Sequence, residues 1–315
     1  MIFFVTLIPF QNQIMKENKL YDVIIIGGSY SGLAAAMALG RALRNVLVID
    51  GGEPCNRQTP HSHNFLTQDG KTPGEITVLG KQQVQQYRTI QFLKGLAIEA
   101  VKTNTGFDVI TDTGKLFYAR KIILATGIKD ILPDIPGFAE SWGISVLHCP
   151  YCHGYEVRNQ RTGILGNENY GYEFSSLISN WTKDLTLYTN GKSDLTVEQT
   201  AKLNQHSILI VEEEVENLEH HNGYLENIKF KNGKSNPLKV LYTRTLFAQQ
   251  ALIPMLGCEL NDQGYIKVDP AQKTSVQGAF ACGDNTTRIR TVANAVATGT
   301  TSGMMVNKEL IEEDF

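Results

Sequence analysis

The chain has 315 residues, 42% of them hydrophobic and 19% charged, with a formal net charge of −3 and a pI near 6.2. That length exceeds the usual size of one domain and favours two domains with separate cores, while the mild charge gives no footprint for nucleic acid or an anionic membrane. Five cysteines, scattered except for one close pair, do not make a secreted disulfide scaffold, and a reducing cytoplasm suits them better.

Residues 1–18 are set apart as an N-terminal extension. The apolar run 2–10 lacks a basic flank and a small-residue cleavage site and is too short to span a bilayer, and Met15-Lys16-Glu17 reads as an alternative start. Residues 21–27 (YDVIIIG) then read as a buried strand, 31–43 as an Ala- and Leu-rich helix and 45–50 (NVLVID) as a second strand. The turn between them is Gly27-Gly28-Ser29-Tyr30-Ser31-Gly32, and Asp50 ends the second strand. Glycines at a strand-to-helix turn let backbone approach a pyrophosphate at the helix N-terminus, and an acid roughly 20 residues on hydrogen-bonds a ribose. Ser29 stands at the middle site, where glycine is usual.

Residues 122–127 (IILATG) form another strand, and 162–166, 170–181 and 184–189 form a second strand-helix-strand unit. The acidic cluster 212–216 reads as solvated surface, and His220-His221-Asn222-Gly223 as a hairpin turn. Residues 278–284 (GAFACGD) close a last strand ahead of a small-residue helix over 292–309. The expected fold class is α/β with two Rossmann-like dinucleotide-binding domains, the second inserted into the first. Residues 19–128 and 246–315 make one domain and 129–245 the other.

Cys149-Pro150-Tyr151-Cys152 carries the chemistry. Two cysteines on a tight turn can close a disulfide, and the attacking thiol of such a motif commonly has a pKa lowered to roughly 3.5–7.5. The alternatives are half of a zinc site, with His148 and His153 flanking the pair, or two core cysteines. Structural zinc wants four ligands, and Cys55, Cys258 and Cys282 are scattered singly.

The GGSYSG turn, Ala125-Thr126-Gly127, CPYC ahead of the second unit, and Gly283-Asp284 together resemble the thioredoxin reductase family of flavoproteins, from about residue 21 to the C-terminus. The resemblance implies FAD in the first domain, NADPH usually in the second, and a homodimer. It implies that Gly27, Gly28, Ser29 and Gly32 line the FAD pyrophosphate, with Asp50 on the ribose and Thr126 and Gly127 also at the cofactor. Asp284 would bond the ribitol, Asn64 would lie near the flavin, and Arg290, Thr291 and Val292 would approach the isoalloxazine from a helix start, whose dipole favours negative charge there. For Asn64 and Arg290 ordinary loop hydrogen bonding is the alternative.

His153 follows CPYC where the common thioredoxin reductases have an acid. An imidazole with a pKa near 6.5 exchanges protons with a thiol at neutral pH, so Cys149, Cys152 and His153 are the candidate catalytic residues; a polar helix-end residue is the alternative for His153. CPYC-His-Gly, Pro54-Cys55-Asn56-Arg57 and the HSHNFLTQDG segment at 61–70 look more like the branch of gliotoxin- and holomycin-type dithiol oxidases. His61 and His63 then either line a substrate pocket or satisfy their own loop.

The second dinucleotide turn departs from the pattern. It reads Gly166-Asn167-Glu168-Asn169-Tyr170-Gly171, and a carboxylate about 4 Å from a phosphate costs on the order of 4 kcal/mol at an effective dielectric near 20. No arginines follow 184–189, where only Lys192 is near, and 246–251 (LFAQQA) lacks the glycine-ended strand common in the family. NADP(H) is therefore a doubtful cofactor. The expected activity is FAD-dependent exchange of electrons with a small dithiol or disulfide, or a thioredoxin-like protein, with oxygen as an acceptor. A donor-driven disulfide reductase and a flavin redox sensor without turnover are the alternatives.

Overall fold

The computed structural model describes residues 20–315, so the extension expected over 1–18 lies outside the described residues. Strand Leu20–Ile26 sits in the middle of the first sheet, parallel to Val46–Asp50 on one side and to Leu116–Leu124 on the other. Ile90–Lys94 adds a further parallel strand beyond Val46–Asp50. The early part of Leu116–Leu124 pairs antiparallel with Phe107–Thr111, which carries Ala97–Lys102, and its end pairs parallel with Ala279–Ala281.

Both faces of this sheet are covered, which is why its central strands read as unbroken apolar runs. Ile24, Ile26, Leu47, Ile49 and Ile122 pack on one face. Val23, Ile25, Val48, Ile123 and Phe280 pack on the other, against Leu33 and Leu39 of helix Tyr30–Arg41 and Val306 and Leu310 of helix Val292–Asp314. Those two helices meet through glycine. A Cβ on Gly299 would stand 2.1 Å from the Ser31 carbonyl oxygen, and one on Gly303 would stand 2.6 Å from that of Ala35. The long helix is also tied down at its end, where buried Lys121 reaches Glu309 at 2.9 Å and Arg44 reaches Asp314 at 2.9 Å.

The chain leaves the first sheet through Lys129–Ile131 and returns through Leu246–Ala248, and these two segments pair antiparallel as a ribbon. Between them lies a parallel sheet in the spatial order Leu209–Val211, Leu185–Tyr188, Thr162–Leu165, Val240–Thr243, Val146–Leu147. Its order reverses direction between Thr162–Leu165 and Val240–Thr243, the place where open parallel sheets bind ligands at their carboxyl ends. The fold is thus two Rossmann-like units, the second inserted into the first, as expected.

A three-stranded antiparallel sheet, Val215–His221, Tyr224–Phe230 and Ser235–Pro237, completes the insertion. Its first hairpin turns at Asn222-Gly223 with φ of 50° and 83°, the left-handed pair that a two-residue turn demands. In the acidic cluster Glu213 and Glu214 form exposed ion pairs with Lys234 and Lys231 at 3.1 and 2.6 Å, as a solvated surface would. No helix among the described residues is long and apolar enough to cross a membrane.

Boundaries differ from expectation where tertiary pairing extends an element. The strand expected at 122–127 begins at Leu116, because its first half has a partner in Phe107–Thr111. The helix expected at 170–181 runs Glu168–Ile178, and the last helix continues to Asp314. Helix Pro73–Val84 was not expected, although Thr72 and Glu75 form a reciprocal capping box visible as Thr-Pro-Gly-Glu in the sequence.

Because the helix that opens at the first glycine turn rests on Gly299, Gly299→Leu should force the two helices apart. The expected cost is about 1–3 kcal/mol of overpacking, read as a lower thermal midpoint together with release of bound flavin. An unchanged midpoint would show that the helices have room to separate.

Candidate active site

The first strand-to-helix turn forms a cradle. Gly27 has φ of +106°, and a Cβ there would stand 2.1 Å from the Ala125 carbonyl oxygen, so the backbone passes directly under the neighbouring strand end. A Cβ on Gly32 would meet the Gly27 carbonyl oxygen at 1.9 Å. Ser29 is the N-cap of helix Tyr30–Arg41, and its side chain makes no capping hydrogen bond, so the helix start is not closed from within. Asp50 accepts a hydrogen bond from the Gly28 amide at 3.1 Å, which brings the acid to the glycines as the motif requires. Thr126 and Gly127 follow the central strand. The Thr126 hydroxyl accepts from the Asn285 amide group at 3.0 Å, and Gly127, with φ of +60°, has nothing within 4 Å of where a Cβ would project.

Cys149 and Cys152 form a disulfide, with Cα atoms 5.3 Å apart. Cys149 caps the short helix Pro150–His153, Pro150 occupies the first turn, and the Cys152 amide donates to the Cys149 carbonyl at 3.3 Å. Tyr151, between the cysteines, is 63% exposed and sets its ring edge-on to Trp181 at 5.5 Å. Among the described residues no group of three or more His, Cys, Asp or Glu is arranged to hold a metal ion.

Two histidines border the disulfide and feel different surroundings. His148 stacks on Trp142 at 5.7 Å, and its Nε2 is buried without a hydrogen-bond partner among the described residues. Burial, helped by the Arg290 charge, pushes it down to about 3. His153 is pushed down to about 4, chiefly by burial and then by His63. The proximity of His63 brings the 61–70 loop to the disulfide. His63 Nε2 lies 3.6 Å from Glu156, just beyond the short helix, and Nδ1 lies 3.4 Å from Asp69. His61 accepts no such role; its Nδ1 meets the Gly70 carbonyl at 3.0 Å. Asn64 is exposed, has φ of +60° and donates its amide to Asp69 at 2.7 Å.

Arg290 is engaged more heavily than its loop position suggests. Its two terminal nitrogens grip both oxygens of Asp130 at 2.8 and 2.9 Å, and the Thr245 hydroxyl donates to the same carboxylate at 2.9 Å. Asp284 lies 3.7 Å from Arg290 Nε and accepts from the Cys55 thiol at 3.7 Å. Burial raises Asp284 above the usual carboxylate range, and burial together with the Asp284 charge pushes Cys55 up to about 11. Burial also opposes ionisation of Asp130, but the hydrogen bonds and charge of Arg290 outweigh it and leave that carboxyl below its ordinary range. Thr291 caps the last helix by accepting from the Asn294 amide at 3.1 Å, and Val292 is that helix's first residue. Nothing local in the sequence marks Asp130 or Glu156 or gives Cys55 its buried role, since their partners Arg290, His63 and Asp284 lie 160, about 90 and 229 positions away.

The second glycine turn is built differently. Asn167 caps helix Glu168–Ile178 with its own side chain, accepting from the Glu168 amide at 2.9 Å. The same amide group accepts from the Asp194 amide at 2.9 Å and donates to the Lys192 carbonyl at 2.8 Å. Glu168 occupies the left-handed region at φ of 54° and is exposed. The Tyr170 ring lies against Gly166, where a Cβ would meet it at 2.7 Å, and the Arg244 guanidinium covers that ring at 4.8 Å.

The family model for pyridine nucleotide-disulphide oxidoreductases matches residues 21–299. The chain belongs to this family. Among its relatives, the thioredoxin reductase tcpT of Claviceps purpurea is 33% identical over 311 residues, covering 95% of this chain and 97% of tcpT. The crystal structure of an oxidoreductase from Agrobacterium tumefaciens is 36% identical with a TM-score of 0.87, covering 93% and 99% of the two chains. That of HlmI is 30% identical with a TM-score of 0.89, covering 95% of each.

Family membership implies an FAD-dependent disulfide oxidoreductase. The residues present fit that cofactor. The glycine cradle ends in a helix start left without a side-chain cap, and Asn285 Oδ1, Arg290 Nε and His148 Nε2 are buried polar atoms without hydrogen-bond partners among the described residues. Buried groups of this kind are normally satisfied, and FAD offers both donors and acceptors.

The two depressed histidines make stability depend on pH with a defined sign. From the ordinary value of 6.5 down to about 4 for His153 and about 3 for His148, the unfolded chain binds protons that the folded chain refuses. Their contribution is complete above pH 6.5 and drains as the pH falls through that window. His153→Gln should flatten the fall of the thermal midpoint between pH 6.5 and 4; a slope equal to the wild type's would place His153 in water.

Proposed function

We propose that this chain is a dithiol oxidase: a small dithiol reduces the Cys149–Cys152 disulfide, bound FAD takes up the electrons, and oxygen is the final acceptor. The observation that carries the reading is the contrast between the two helix starts. The Ser29 start has no side-chain cap, whereas Asn167 closes the equivalent start in the second unit. Electrons then enter from the thiol side. Similarity to tcpT and HlmI, together with His153 behind Cys152, supports assignment to the gliotoxin- and holomycin-type branch.

In the exchange, one substrate thiolate attacks Cys149 Sγ, the Cys149–Cys152 bond breaks, and Cys152 leaves as a thiolate. The second substrate thiolate then attacks the sulfur bonded to Cys149 and releases Cys149. Substrate dithiol becomes disulfide, and the protein disulfide becomes dithiol. FAD supplies the two-electron acceptor that restores the protein disulfide. His153, beside Cys152, handles the proton. As a neutral imidazole it is free to accept one, and a thiolate forming next to it raises its affinity for that proton. Proton uptake is thus tied to opening of the disulfide. Cys149 is the exchanging thiol and Cys152 the flavin-side thiol, while Gly27, Gly28, Ser29, Gly32, Asp50, Thr126, Gly127, Asp284 and Arg290–Val292 hold the cofactor.

The test is anaerobic mixing with dithiothreitol followed by admission of oxygen. The flavin band should bleach and then recover with peroxide formation, and Cys149→Ser and Cys152→Ser should each abolish bleaching by at least a hundredfold in rate while FAD stays bound. Wild-type rates in both variants would remove the disulfide from the reaction. Failure of the native protein to consume oxygen would favour the reductase named in its relatives.

A further inference from the structure

Arg290 lies in a buried cluster assembled from four distant segments. Cys55 comes from the loop after Val46–Asp50, Asp284 from the end of the last strand, Asp130 from the outgoing strand of the ribbon, and Thr245 from just before the returning one. The side chains of Asp130 and Arg290 are 8% and 13% exposed, and their bidentate contact at 2.8 and 2.9 Å is the tightest in the cluster. A fork-to-fork pair of this kind fixes the plane of the guanidinium as well as its charge balance. Asp284, 3.7 Å from Nε, faces the remaining nitrogen.

A buried guanidinium next to a flavin would favour the negative charge that gathers as two electrons arrive, and would make the flavin a stronger acceptor. Here that charge is cancelled at hydrogen-bond distance. Charges act strongly on one another where burial lowers the effective dielectric, so cancelling this one is felt by the flavin. Asp130 itself is pinned by the Thr245 hydroxyl at 2.9 Å and is held ionised by its partner.

We propose that Asp130 is a positioning residue that acts through Arg290: it neutralises the guanidinium and holds its plane, so that the flavin is a weaker electron acceptor and passes electrons on to the final oxidant. This rests on the reading that Arg290 adjoins the flavin. It gives the ribbon between the two domains a part in setting the flavin's potential, through a residue that touches neither substrate nor disulfide.

The test uses the FAD-loaded protein and two readouts that involve no turnover. Sulfite bleaches a flavin more readily when uncompensated positive charge lies beside it, and equilibrium with a reference dye reports the midpoint potential. Asp130→Asn should tighten sulfite binding at least tenfold and shift the dye equilibrium at least tenfold toward reduced flavin, a rise of about 30 mV for a two-electron couple. Asp130→Glu should return both readouts toward wild type. In an Arg290→Met background, Asp130→Asn should change neither. If Asp130→Asn does not retain FAD, Asp130→Ser removes the same charge and is read instead. Unchanged sulfite affinity in the charge-removing variant overturns the proposal, as does an equal effect with and without Arg290. Either failure leaves the Cys149→Ser and Cys152→Ser results standing, whereas a native protein that dithiothreitol cannot bleach overturns the proposed function whatever sulfite shows.

Discussion

Backbone N–H groups at a helix start have no partners inside the helix, and whatever satisfies them decides what the site can bind. In the first unit the glycine turn brings these donors up to the strand ends, and Ser29 leaves them without a side-chain cap. In the second unit Asn167 caps the helix itself and knits the turn to Lys192 and Asp194. The same supersecondary device thus appears twice, once open and once filled by its own side chain. Tyr170 against Gly166, with Arg244 above it, occupies the crevice where the strand order reverses.

The same economy of polar groups governs the disulfide. Burial keeps His148 and His153 neutral on either side of it. A neutral imidazole is able to accept a proton when a thiolate forms near it. The 61–70 loop approaches from the first domain, and His63 bridges toward Glu156 beyond the short helix. Arg290 ties the first domain to the ribbon through Asp130. Both contacts pair a residue that the sequence marks, His63 or Arg290, with a carboxylate that it does not, Glu156 or Asp130.

Much of the fold was legible because the signals are local. YDVIIIG, NVLVID and IILATG are apolar runs bounded by glycine or acid, as strands covered on both faces must be, and Asn222-Gly223 dictates its own turn. The antiparallel strands over 97–121 are not legible in the sequence, since pairing across a sheet extends elements beyond what their own residues favour. At the site, the glycines and Asp50 could be read from spacing, and Cys149 with Cys152 from adjacency. The sequence marks Arg290 but not its environment: a bidentate partner 160 positions away is a product of the fold. The sequence alone gives His153 an ordinary pKa, and burial moves it well below that.

The proposed entry of electrons through the disulfide requires that the second crevice, capped by Asn167, not take up a nicotinamide dinucleotide. The most direct measurement is an anaerobic titration of the FAD-loaded protein with NADPH, followed by absorbance of the flavin band. A band unchanged at micromolar NADPH is expected, and rapid bleaching at that concentration would contradict it.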